Sequence, residues 1–209
     1  MPARTLISHH SLRYLLPVAA LGLVAHLQFG SWAALPWGLL LGGLVYVFRD
    51  PHRVIPSAPR GVVSAADGRV SRVDTVRVPR LDREMIRISV DMNLAGAYVM
   101  RSPAEGKSFE SWRVDDSDEY GAANGRGAAF WLETDEGDDV VIVMHDAGPL
   151  RRPVCTSSVG DRLGQGQRCG YVPFGSRIDV MVPLGSRVEV QEGARVWAGH
   201  DVIATLIHK

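Results

Sequence analysis

From Leu12 to Phe48 the chain carries no Asp, Glu or Lys, and Arg13 is its one Arg. His26, Gln28, Gly30 and Ser31 interrupt this stretch and divide it into two apolar runs, roughly Leu12 to Leu27 and Trp32 to Phe48. The pattern predicts two helices joined by a tight turn. Each run is near the short limit of the roughly 17–25 residues that cross a bilayer as a helix. Arg4 and Arg13 precede the pair, and Arg49 and Arg53 follow it. The positive-inside rule then places both outer ends on the cytoplasmic side, with the turn near Gly30 dipping into or across the membrane and Trp32 and Trp37 suited to its interface. Two other readings compete. A cleavable signal peptide is opposed by the second apolar run and the missing small-residue cleavage site; a buried helical pair of a soluble protein is the other.

Beyond about Gly61 the texture changes to short β-branched segments punctuated by glycine. Arg69 to Val78, Met85 to Asp91, Ala128 to Glu133, Val140 to Met144, Arg177 to Val182, Arg187 to Val190 and Val202 to Ile207 are predicted strands. Ile86, Ile88 and Val90 alternate with Arg87 and Ser89, so one face of that strand is apolar and the other polar. Glycines at 160, 164, 166, 170, 175, 185, 193 and 199 supply turns between short strands. The polar segment Asp115 to Arg126 reads as an exposed loop. The fold class is therefore mainly β, a compact sandwich or barrel over 61–209, preceded by a helical hairpin and linker over 1–60. The C-terminal third also has the rhythm of a biotinyl/lipoyl-type domain, a lipoyl-like hybrid topology. The swinging-arm lysine of a carrier is absent from the expected hairpin, Val180 to Glu189.

Charge refines this picture. The whole chain balances 23 basic against 23 acidic residues. Residues 1–60 hold five arginines against Asp50, a net +4, which leaves 18 basic and 22 acidic residues, −4, in the remainder. A basic end on an acidic body suits a polar domain held at a membrane. No Lys/Arg stripe crosses the body, so nucleic acid is not an expected partner. Cys155 and Cys169 have neither CxxC spacing nor a Cys/His quartet around them, so no metal site is expected. The two could form one disulfide or remain reduced as small core residues.

Candidate chemistry centres on Tyr171-Val-Pro-Phe-Gly-Ser-Arg-Ile-Asp-Val180. A Gly-Ser pair alone is an ordinary turn, and Gly185-Ser186-Arg187 repeats the triplet ten residues later. The setting distinguishes the first. Phe48-Arg-Asp-Pro51 follows the hydrophobic hairpin, Ala66-Asp-Gly-Arg-Val70 comes next, and Arg151-Arg152 and Gly164-Gln-Gly-Gln-Arg168 precede Gly175-Ser176. In this order, over about residues 12–207, these segments resemble the phosphatidylserine decarboxylase family, specifically its short form with an N-terminal hydrophobic hairpin.

The resemblance implies an inactive precursor that cuts itself between Gly175 and Ser176 and converts Ser176 to a pyruvoyl group. That carbonyl cofactor then serves decarboxylation of phosphatidylserine in phospholipid biosynthesis, while the protein orients and protonates. The two cleaved pieces would stay associated, and a shallow anchor with a compact body allows a homo-oligomer. Glycine before the serine eases a strained backbone and a close approach of the hydroxyl to the carbonyl. Asp67 matches the family's acidic residue that supports the base; its simpler reading is an Asp-Gly turn. Arg151 and Arg152 suit the phosphate or carboxylate of a lipid headgroup, or are solvated surface charges.

The chain departs from the family at one place. An Asp-x-His pair is expected shortly before Arg101-Ser-Pro103, and alignment on that turn puts Gly96 and Tyr98 in its positions. Tyrosine, with a reference pKa of about 10, can donate a proton but is a poor base near neutrality. His145, after a predicted strand, is the candidate replacement imidazole; its plainer role is packing at a strand end. Two functions remain open: a working decarboxylase with rearranged acid–base groups, or a non-decarboxylating paralogue that binds lipid headgroups or assembles with partners.

Overall fold

The computed structural model of the chain describes residues 12–47, 49, 53–58, 60–93, 96–114, 127–146, 148 and 152–207. The chain separates into two compact units, residues 1–52 and 53–209. In the first, helix α1 (Leu12–Phe29) and helix α2 (Ser31–Val47) are joined by Gly30, which adopts φ +70° and donates its N–H to the His26 carbonyl. That left-handed residue closes the first helix and reverses the chain, the usual work of glycine at a helix C-terminus. The side chain of Trp37 packs where Gly22 has none, a Cβ at position 22 lying 3.4 Å from the Trp37 Cβ and 3.5 Å from its ring. At 1.5 Å per residue the helices are about 27 and 26 Å long. No helix among the described residues is long and apolar enough to cross a membrane. Their outer surface is nonetheless apolar, with Leu16, Leu21, Leu23, Leu27, Trp32, Leu35 and Leu39 exposed.

The second unit is mainly β. Its strands in chain order are β1 (Gly61–Val63), β2 (Gly68–Val78), β3 (Arg83–Met92), β4 (Val99–Arg101), β5 (Gly106–Val114), β6 (Gly127–Thr134) and β7 (Asp139–His145). Then follow β8 (Val154–Cys155), β9 (Arg162–Leu163), β10 (Arg168–Tyr171), β11 (Arg177–Pro183), β12 (Arg187–Val188), β13 (Arg195–Val196) and β14 (Val202–Thr205). Eight of them form a curled sheet in the order β13-β2-β3-β11-β7-β6-β5-β9. Two three-stranded sheets, β1-β14-β12 and β4-β10-β8, complete the unit.

Alternation along the central strands builds two cores. Ile88, Val90, Ile142, Met144, Ile178 and Val180 share one face with Phe130 and Leu132 of β6 and with residues of the small sheets. The opposite face carries a smaller cluster of Met85, Val141, Val143, Met181, Ala129 and Trp112. Ile88 and Val90 lie on the apolar face as the alternation requires, but Arg87 and Ser89 are buried as well. The curl of the sheet shields that second face. Arg87 is satisfied there by Asp74 directly across the β2–β3 ladder, at 2.8 and 2.5 Å.

The segment Val180 to Glu189 is not a hairpin. The Ser186 N–H to Pro183 carbonyl bond closes a turn, but β11 pairs with β3 and β7 while β12 pairs with β14 in another sheet. Cys155 and Cys169 are separate thiols. Asp115 to Arg126 lies outside the described residues, as do Phe48, Asp50 and Pro51 of the Phe48–Pro51 segment.

Candidate active site

The segment between β10 and β11 makes a sharp turn. Phe174 has φ 58° and Gly175 φ 65°, two successive left-handed residues. Glycine adopts this region freely, whereas an aromatic residue there is strained by about 1–2 kcal/mol. The Gly175 N–H reaches back to the Val172 carbonyl at 3.4 Å, and a side chain at 175 would meet the Met92 Cβ at 3.3 Å. Ser176, half-buried, is anchored through its carbonyl by the Met92 N–H at 2.9 Å. The scissile peptide predicted from sequence thus lies at a strained bend whose downstream side is clamped to the central sheet.

Tyr98 braces this bend. It is buried, its ring centroid lies 6.0 Å from that of Phe174 and 6.4 Å from that of Tyr171, and its carbonyl accepts the Val172 N–H at 2.8 Å. Asp67 organises the adjoining loops. Its carboxylate, 2% exposed, accepts from Arg53 Nη2 at 2.7 Å, from the Ala97 N–H at 3.2 Å and from the Ala198 N–H at 2.8 Å. Its carbonyl takes the Asn93 N–H at 3.2 Å. One buried side chain therefore ties the segment entering the unit, the loop before β4 and the loop before β14. Asp67 is more than an Asp-Gly turn. Above it, a Cβ at Gly96 would lie 3.1 Å from the Asp67 Cβ and 3.1 Å from the Asn93 carbonyl. A side chain at position 96 therefore requires the Asp67 loop to shift.

His145 is engaged elsewhere. Its Nε2 lies 2.6 Å from Asp179 Oδ2, both side chains being buried, and Arg177 Nε lies 3.2 Å from Asp179 Oδ1. Met144 pairs with Ile178 on the main-core face, so His145, one residue on, belongs to the opposite face. The structure thus groups Asp67, Tyr98 and Gly175–Ser176 at one end of the sheet and gives His145 to a separate buried cluster. Arg152 is exposed and borders a cavity of about 470 Å³ with Arg113, Val114, Gly127, Ala128, Asp146 and Pro153. Arg151 lies outside the described residues.

Three contributors escaped sequence reasoning. Arg53, taken as a flanking charge, is the half-buried partner of the buried Asp67 and also covers the Trp197 ring at 4.9 Å. Arg113 and Asp146 reach the cavity through strand pairing, for which the linear sequence carries no signal. Among the described residues no group of three or more His, Cys, Asp or Glu side chains could hold a metal ion.

The family model for phosphatidylserine decarboxylase matches residues 42–204. The chain is similar to a phosphatidylserine decarboxylase proenzyme of Nitrosomonas europaea, 36% identical over 190 residues, 88% of each chain. It is 38% identical to one of Aromatoleum aromaticum over 192 residues, 90% of this chain and 89% of that protein. A third, of Burkholderia ambifaria, is 36% identical over 193 residues, 90% of each chain. No solved structure matches.

Proposed function

Because the chain belongs to the phosphatidylserine decarboxylase family, we propose that it converts phosphatidylserine to phosphatidylethanolamine after cutting itself between Gly175 and Ser176. The observation that carries this reading is the junction itself: two left-handed residues, one of them a strained phenylalanine, immediately before a half-buried serine whose carbonyl is fixed. Strain at Phe174, next to the bond to be cut, raises the energy of the intact turn, and the clamp on Ser176 holds the nucleophile's backbone still.

In the cut, Ser176 Oγ bonds to the Gly175 carbonyl carbon and the peptide C–N bond breaks, leaving an ester. Loss of the Ser176 Cα proton with departure of the Gly175 carboxylate gives a dehydro residue. Water then enters and ammonia leaves, forming the pyruvoyl group at the new terminus. These residues fit that group: Gly175 leaves room beside Met92 without a side chain of its own, and Tyr98 and Phe174 pack beside it. Once formed, the group's carbonyl supplies the electron sink for CO2 loss. Tyr98 is a phenolic proton donor at this end of the sheet, and Arg151 and Arg152 offer guanidinium forks to the headgroup oxygens. The two fragments stay together because β11, at the start of the smaller one, is hydrogen-bonded between β3 and β7 of the larger.

The apolar outer surface of α1 and α2, with basic residues beyond both ends, supports attachment to the cytoplasmic face of the cell membrane. A second reading, a headgroup binder that never cuts itself, rests on Gly96 and Tyr98 standing where the family's acid and imidazole are expected. Intact mass of the purified protein beside Ser176→Ala separates them. Fragments 1–175 and a blocked 176–209, absent from the variant, support the enzyme; one uncut chain in both leaves the binder.

A further inference from the structure

Cutting between Gly175 and Ser176 turns the start of β11 into a chain end, and chain ends fray unless something ties them down. The strand is unevenly tied at that point. On the β3 side the ladder runs to its first residue, Arg177 opposite Asp91, and the Met92 N–H continues it to the Ser176 carbonyl at 2.9 Å. On the β7 side the ladder begins one residue later, at Ile178 opposite Met144. Among the described residues, the backbone at the new end is therefore paired from the β3 side.

A side-chain contact supplies the β7 side. Asp179 lies opposite Ser89 of β3 and Val143 of β7, so its side chain shares the second sheet face with His145, two residues beyond Val143. Diagonal neighbours of this kind are within reach of long side chains. The two meet, with His145 Nε2 2.6 Å from Asp179 Oδ2. A carboxylate only accepts, so that ring nitrogen carries the hydrogen. The other carboxylate oxygen, Oδ1, lies 3.2 Å from Arg177 Nε. The His145 side chain is 6% exposed and that of Asp179 0%, and a charge-assisted bond in so dry a place is stronger than one at the surface. The partners also belong to different products. His145 falls in fragment 1–175 and Asp179 in fragment 176–209. Asp67 bonds across the same divide, but to Ala198, far along the small fragment from its new end.

We propose that His145 and Asp179 form a lock between the two fragments, a role that rests on the self-cutting reading above. His145 is a positioning residue: it holds Asp179, and through Asp179 the side chain of Arg177, so that residue 176 keeps its place once the bond before it is gone. In the intact chain Gly175 continues the backbone and the lock is redundant. After the cut it restrains the end on which the pyruvoyl carbonyl would sit.

The test is amide hydrogen exchange of the peptide covering Arg177 to Pro183, read by mass spectrometry on full-length protein in detergent. Cut wild type and cut His145→Phe are compared with the same pair in an uncut Ser176→Ala background. Losing a hydrogen bond to a charged group should speed exchange of this peptide about 10–100-fold in cut His145→Phe. Little change is expected in the uncut pair, and His145→Gln, which keeps an N–H for Asp179, should stay close to wild type. Equal acceleration in cut and uncut protein makes the bond ordinary core packing and overturns the lock, as does unchanged exchange in cut His145→Phe. A His145→Phe protein that folds but stays whole gives the imidazole a part in the cut itself and also overturns it. Should His145→Phe not fold, Asp179→Asn in the same two backgrounds decides by the same comparison. A wild-type chain that stays whole overturns the self-cutting reading, and the lock with it.

Discussion

Removing the Asp67 carboxylate should loosen three segments at once. In Asp67→Ala the N–H groups of Ala97 and Ala198 lose their acceptor inside a site that is 2% exposed. Each orphaned buried donor costs about 1–3 kcal/mol. Arg53, whose side chain is 19% exposed, also loses its carboxylate, but partial hydration softens that loss. Together the cost should be about 3–5 kcal/mol, at the upper end of what single substitutions do. The assay is urea unfolding of the full chain in detergent, followed by tryptophan fluorescence, since Trp197 stacks under Arg53 and reports this corner. A cycle with Arg53→Met isolates the ion pair. Its coupling should be about 1–2 kcal/mol, less than half the whole effect, because the backbone donors do not depend on Arg53. An Asp67→Ala protein within about 1 kcal/mol of wild type would refute the claim that this carboxylate holds the loops. A coupling equal to the full loss would refute the assignment to backbone donors.

Two further outcomes follow from the geometry. Gly175→Ala places a Cβ on a residue with φ 65°, 3.3 Å from the Met92 Cβ; it should lower stability by about 1–2 kcal/mol in the same unfolding assay and slow fragment formation. Asp74 has its pKa lowered, chiefly by the hydrogen bond from Arg87 and against the opposing effect of burial. Its folded value lies below its unfolded one, so its contribution is present above about pH 4 and lost as pH falls through the folded value. The stability difference between wild type and Asp74→Asn should therefore shrink from pH 5 to pH 3; a constant gap in melts across that range would count against the pair.

Much of the fold could be read from local pattern. The two apolar runs become helices that break at Gly30, and the long strands β2, β3, β6, β7 and β11 fall where alternation placed them. Strand β5 was missed because Lys107, Glu110 and Arg113 dilute its composition, although Ser108, Trp112 and Val114 are all buried. The two-residue strands β8, β9 and β13 carry too little pattern to be seen and exist through their neighbours, whereas β12 falls within the strand expected over Arg187 to Val190. The hairpin expected over Val180 to Glu189 failed for a related reason: a turn looks alike whether its flanking strands pair with each other or enter different sheets.

By itself the sequence determined the helical pair, the β-rich body, the family motifs and the candidacy of Gly175-Ser176, because these rest on neighbouring residues and a few residues' periodicity. It also exposed the absence of an acid and an imidazole at positions 96 and 98. Tertiary structure alone decided which groups stand beside the serine. It drew Arg53 onto Asp67, filled the space at Gly96 with the Asp67 loop, and gave His145 to Asp179. Whether an ionisable side chain acts as base, strut or buried pair depends on cross-strand register and sheet face. Residues 144 and 145 are adjacent in the chain, yet the one-residue step carries Met144 into the main core and His145 to the opposite face of the sheet.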